Sequence, residues 1–187
     1  MQSASAFSSS THSAEDVIAA LKLEMLDQEG GYFRRTAESG VWVTPAPAAG
    51  DGAEKQLTRA YSVIYALFTP ESFSALHRLA TDEIWCWHAG DPLESLRLHP
   101  DGRSEWVKLG ADVTLGQRPQ DIVGASVWQG TRLVAGGSWA LISCIIAPEF
   151  RWADFELGER AVLVAAYPPC EEGIRALTRN QPMVGVK

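Results

Sequence analysis

The chain has 187 residues, 46% of them hydrophobic and seven of them Trp, and carries a formal net charge of −7. That length suits one domain able to bury about 70% of its unfolded-chain surface without disulfide or metal staples. An acidic balance with scattered Lys and Arg excludes nucleic acid and anionic membrane as main partners, because both select basic patches.

Residues 1–12 are rich in Ser and lack both the basic start and the apolar run of a secretory signal, so they read as a disordered tail ahead of one domain over 13–187. Ser13 and Asp16 form a capping-box pattern, and Val17, Ile18, Leu21, Leu23, Met25 and Leu26 give helical periodicity over 14–26. Paired glycines at Gly30 and Gly31 turn the chain into a strand over 32–36, and the Pro- and Gly-rich run 44–52 reads as a loop. A strand over 60–68 ends at Pro70.

The most informative stretch is 72–90. With period two, Phe73, Ala75, His77 and Leu79 share one face, and Glu83, Trp85 and Trp87 share a face of the next strand. A three-residue loop at 80–82 makes this a hairpin in which His77 pairs with Trp85 and projects with Glu83 into one apolar interior, whereas a two-residue loop would pair His77 with Ile84 and turn Glu83 to the other face. A buried Glu needs a partner, and beside an imidazole it fixes the ring's tautomer and raises its basicity.

Further along, strands at 93–98 and 104–109 flank the Asp101-Gly102 turn signal. A turn over 116–120 leads to a strand over 122–128, a second turn over 130–132 follows, and 138–147 is an apolar strand ended by Pro148. Residues 150–155 form an aromatic link, 161–166 a short helix or strand, and 171–178 a C-terminal helix. Short strands punctuated by turns every eight to twelve residues indicate an all-β sandwich or barrel. Cys86, Cys144 and Cys170 lack metal or disulfide spacing, which points to reduced thiols and a cytoplasmic location.

Gly30-Gly-Tyr-Phe-Arg34, His77-Arg with Asp82-Glu-Ile-Trp85, His88-Ala-Gly-Asp-Pro-Leu93, Gly116-Gln with Pro119-Gln120, Val127-Trp-Gln-Gly130, and Ala147-Pro-Glu-Phe150 with Asp154-Phe-Glu156 together resemble the cupin superfamily, and within it the Cupin_5 family. The resemblance implies a double-stranded β-helix, the cupin jelly roll, with an N-terminal helix and a short C-terminal helix, a small-molecule site in the barrel, and a homodimer. His77 falls on the first His of the general cupin motif and Glu83 on its Glu. Leu79 stands where a second His belongs, Gln129 where a third does, and Gly124 where a Pro opens the second motif. No metal or other cofactor is therefore expected, a divalent ion at His77 and Glu83 being the weaker alternative.

The expected activity is small-molecule binding, with metal-independent isomerase or epimerase chemistry on a sugar-like or small polar ligand. Sugar-nucleotide epimerases of the superfamily use an interior His as base, a role that falls to His77 in this sequence, with Glu83 orienting it. Tyr32, Tyr61, Tyr65 and Tyr167 are the candidate acids. Gln120, Gln129, Trp85 and Tyr65 are the expected ligand contacts; Arg34 and Arg78 either fix an anionic ligand at the barrel mouth or pair with surface acids, the second being expected. A non-catalytic sensing or storage module, and a metal-dependent dioxygenase or isomerase, are the alternatives.

Overall fold

A computed structural model of the chain describes residues 7–44 and 57–179. Helix α1 (Ala14–Leu21) opens the domain; the Ser13 hydroxyl accepts from the Asp16 amide at 3.1 Å and an Asp16 oxygen accepts from the Ser13 amide at 3.2 Å. The helix is shorter than its apolar periodicity predicts, because Lys22 turns left-handed (φ 52°) and donates back to Ala19 and Ile18. Among the described residues thirteen strands follow: β1 (Glu24–Met25), β2 (Tyr32–Glu38), β3 (Trp42–Val43), β4 (Thr58–Arg59), β5 (Ser62–Phe68), β6 (Phe73–Leu79), β7 (Glu83–Gly90), β8 (Leu93–Leu98), β9 (Ser104–Leu109), β10 (Gln120–Val123), β11 (Trp128–Leu133), β12 (Ala140–Ile146) and β13 (Phe155–Leu157). Helices α2 (Arg160–Ala166) and α3 (Glu171–Ala176) complete the described chain.

The strands form two antiparallel sheets, β1-β2-β5-β12-β7-β10 and β13-β6-β11-β8-β9, with β3 and β4 as a separate pair. This is a double-stranded β-helix. The Asp101-Gly102 signal holds: Leu98 pairs with Ser104, and Gly102 takes φ 87°.

The expected hairpin of β6 and β7 does not form. Strand β6 pairs with β11 and β13 in one sheet, whereas β7 pairs with β12 and β10 in the other. Residues 80–82 therefore carry the chain across the sandwich. Period-two alternation reports which face is buried, and it reads the same whether the next strand pairs alongside or lies opposite. His77 and Glu83 consequently meet face to face between sheets.

A second correction concerns 122–132. The chain turns at 124–127, with Ser126 at φ 65°, and the expected turn at 130–132 lies inside β11. Gly130 is there for closeness: a Cβ would stand 2.8 Å from Leu76 and 3.2 Å from Leu177.

Both sheets are covered outside. Val17 and Leu23 pack on Leu67, Ala89 and Leu141 of the first sheet and on Trp139 just before β12, while Leu163, Ile174 and Leu177 pack on Leu76, Leu96 and Leu98 of the second. Each of these fully buried Leu and Ile side chains contributes about 1.5–3 kcal/mol relative to exposure. Of the expected N-terminal tail, residues 1–6 lie outside the described chain. Residues 7–12 differ from that expectation: the Phe7 ring lies 5.3 Å from that of Trp139, tilted by 37°, and the Trp139 indole donates to the His12 carbonyl at 2.7 Å. The predicted loop over 44–52 falls almost wholly outside the described residues.

Candidate functional site

A cavity of about 320 Å³ lies between the two sheets, with Glu29, His77, Glu83 and Cys144 among its lining residues. Strand alternation brings three of these inward: His77 from β6, Glu83 from β7 and Cys144 from β12. Glu29 comes from the turn at 26–31, which closes with Leu26 donating to Gly31 at 2.9 Å. Gly30 (φ 112°) makes that turn possible, since a Cβ there would meet the Phe73 carbonyl oxygen at 2.1 Å.

His77 is 2% exposed. Its Nδ1 sits 2.8 Å from the Ala75 carbonyl oxygen, an acceptor only, so Nδ1 carries a proton. Nε2 stands 3.9 Å from Glu83 Oε2, and Nδ1 stands 3.9 Å from Glu29 Oε1. Those separations are ion-pair contacts beyond hydrogen-bond range. Burial acts to lower the His77 pKa, but the two carboxylates outweigh it and lift it to about 9. Burial acts to raise Glu83, yet His77, Gln129 and Cys144 hold it below its ordinary value. Burial pushes Glu29 up, against the opposing His77 charge, and pushes the Cys144 thiol well up. At neutral pH the site holds an imidazolium, an ionised Glu83 and a neutral thiol.

Behind Glu83 the polar groups continue. Gln129 Nε2 donates to Glu83 Oε2 at 2.5 Å, and its Oε1 accepts from Arg97 at 3.2 Å. Arg97, 2% exposed, also donates to Asp121 at 3.2 Å, and Asp121 accepts from the surface Arg118 at 2.8 Å. The two bonds of Gln129 fix its amide orientation, donor toward the carboxylate and acceptor toward the guanidinium.

A protein from Leishmania major is 33% identical over 90% of this chain and all of its own, with a TM-score of 0.79. One from Shewanella oneidensis is 31% identical over 91% of this chain and all of its own, with a TM-score of 0.78. The family Cupin_5, described as Cupin superfamily (DUF985), matches residues 15–158. The chain belongs to the Cupin_5 family. An uncharacterised protein of Saccharomyces cerevisiae is 29% identical over 68% of this cupin and 66% of its own length.

In this cupin the expected contacts divide. His77, Glu83 and Gln129 come together as described. Trp85 is 1% exposed and stacks on Phe68 in the closed inner core, away from the cavity wall. Tyr65 and Gln120 face outward: Tyr65 lies edge-on to His88 and packs toward α1, and Gln120 is exposed with its amide 3.5 Å from the Cys86 sulfur. Their strands point the opposite parity inward, Ser62 and Ile64 on β5 being the cavity residues. Tyr167 is committed to the His99 carbonyl at 2.9 Å, and Tyr61 is 41% exposed. Arg78 pairs with Glu156 at 2.6 Å. The residues missed by sequence reading are the buried Arg97 and Asp121 and, in the cavity wall, Glu29, which sits in a turn without periodicity and whose only signal was the adjoining Gly30-Gly31.

The donor set does not fit a cupin metal centre. The third-imidazole position is Gln129, whose oxygen is taken by Arg97 and whose NH2 faces Glu83. Leu79 supplies no donor, and a guanidinium lies just behind. Among the described residues no cluster of three or more His, Cys, Asp or Glu is arranged to hold a metal ion, and no helix is long and apolar enough to cross a membrane.

Proposed function

We propose that this cupin binds a small organic carbonyl compound in the Glu29–His77–Glu83 cavity and isomerises it by metal-free proton transfer. One observation carries the reading: an imidazole with its pKa raised to about 9 lies between two carboxylates pushed in opposite directions. Titratable neighbours driven apart in this way are how acid and base roles are assigned in enzymes.

The raised pKa changes the part His77 plays. Charged at neutral pH, it is the proton donor in the resting site, and Glu29 takes over the base role expected of His77. Glu29 removes a proton from the carbon beside the ligand carbonyl, and the C–H electron pair becomes the new C–C π bond. The carbonyl oxygen takes the Nε2 proton of His77, giving an enol. Return of the proton from Glu29 to the other face of the same carbon, with His77 recovering its own from the enol oxygen, gives the isomer of inverted configuration. Glu83, held ionised by Gln129, keeps the imidazolium charged and touches no substrate carbon. Three free thiols, Cys86, Cys144 and Cys170, support a reducing, cytoplasmic setting.

The test is hydrogen–deuterium exchange at carbon, followed by NMR in D2O with a panel of ring ketones and ketoses. Wild type should exchange one position; Glu29→Gln and His77→Gln should each lose at least about 100-fold. Full exchange in either variant removes the reading.

A further inference from the structure

Glu29, His77, Glu83 and Cys144 make one polar group in the cavity lining. Apart from Arg35 and Ser62, whose hydroxyl accepts from the Phe150 amide at 3.0 Å, the remaining walls are Leu26, Phe33, Ile64, Leu79 and Ile146, closed by three aromatic rings, Phe150, Trp152 and Phe155. The rings meet edge to face, Phe150 to Trp152 at 5.0 Å and 84°, Trp152 to Phe155 at 5.3 Å and 76°. Phe155 lies flat against His77, 5.1 Å away and 21° from parallel. Trp152 is 52% exposed, so an indole face stands at the entrance. Such a wall gives dispersion and ring contacts but no partner for a row of hydroxyls, each of which would lose water uncompensated.

Charge points the same way. Besides His77, the lining among the described residues holds one cation, Arg35, and it is engaged by Glu38 at 2.5 Å. Two carboxylates, Glu29 and Glu83, face the deep end. A phosphate or diphosphate brought into this cavity would meet more negative charge than it could pair. The 3.9 Å gap between His77 Nε2 and Glu83 Oε2 leaves one N–H for a single oxygen.

We infer that the cavity selects a flat, uncharged compound of one or two rings bearing one carbonyl or hydroxyl oxygen, directed at His77, and rejects phosphorylated or polyhydroxylated sugars. This rests on the site proposed above and replaces the sugar-like ligand that the resemblance implies. A volume of about 320 Å³ suits that size.

The test is equilibrium binding by NMR and calorimetry, with 1-indanone and acetophenone against glucose and glucose 6-phosphate. The ring ketones should bind wild type, shift the Trp152 indole and His77 ring signals, and weaken at least tenfold in Trp152→Ala and in the cavity-filling Leu79→Trp. Preference for either sugar, no binding of either ketone, or ketone binding unchanged in both variants would overturn the inference. Ketone binding that is weakened in both variants yet accompanied by no carbon-bound exchange upholds this inference while removing the proton-transfer reading, which separates the two failures.

Discussion

Glu29 Oε1 stands 3.9 Å from His77 Nδ1 and 2.5 Å from the Ser74 hydroxyl, so a carboxylate from a turn is held against a ring from the middle of a strand. The imidazole is thereby flanked on both nitrogens by acids. Its protonation, and the stability that depends on it, follow from that placement.

Replacing Glu29 by Gln removes one of the two charges that raise His77. The His77 titration midpoint, read from ring nitrogen shifts by NMR, should fall from about 9 toward 6.5. A midpoint that does not move would show that Glu29 and His77 are uncoupled.

Stability should decline on the alkaline side. A group whose folded pKa is raised stabilises fully below its unfolded value and ceases to do so as pH climbs through the folded value. For His77 the window runs from 6.5 to about 9, and a shift of that size corresponds to on the order of 3 kcal/mol. Urea unfolding at pH 6, 8 and 10 should show this fall, and the His77→Gln variant should flatten it.

Gln129→Leu strands the Glu83 carboxylate and one Arg97 N–H together. Loss of a buried partner to a charged group costs about 2–4 kcal/mol, above the neutral range. Denaturant midpoints should shift accordingly. Arg97→Met should cost less than the 3–5 kcal/mol usual for a broken buried pair, because Asp121 keeps its bond to Arg118 at 2.8 Å.

Arg179 donates to the Gln28 carbonyl at 2.5 Å and to the Glu29 carbonyl at 3.2 Å, clamping the turn that carries Glu29. Arg179→Ala should loosen it. The Ala75 amide, which donates to the Glu29 carbonyl at 2.9 Å, reports this by faster hydrogen exchange while β12 amides stay protected.

Exhaustive dialysis against a chelator should leave carbon-bound exchange unchanged. Loss of exchange that is restored by one added transition metal would reverse the metal-free proposal.

The site was half legible. His77 and Glu83 declared themselves through parity, since an ionisable residue on an apolar face must find a partner, and that rule is indifferent to which sheet supplies the neighbour. The pairing of β6 with β11 was not legible, because sheet membership is decided by contacts distant in sequence. Tyr65 and Gln120 were misplaced for the same reason: their inward or outward sense depends on strand boundaries that composition leaves open. Glu29 lay outside any periodic element, where only coordinates bring a side chain to its target.

From Arg118 inward the row runs Asp121, Arg97, Gln129, Glu83, His77 and Glu29, with the charged members alternating in sign. With every ionisable member charged, the row sums to zero. A neutral guest leaves that sum untouched on arrival, and a proton handed from His77 through the guest to Glu29 redistributes charge without importing any. On the proposed reaction, a cycle would thus draw no counter-ions into the barrel interior.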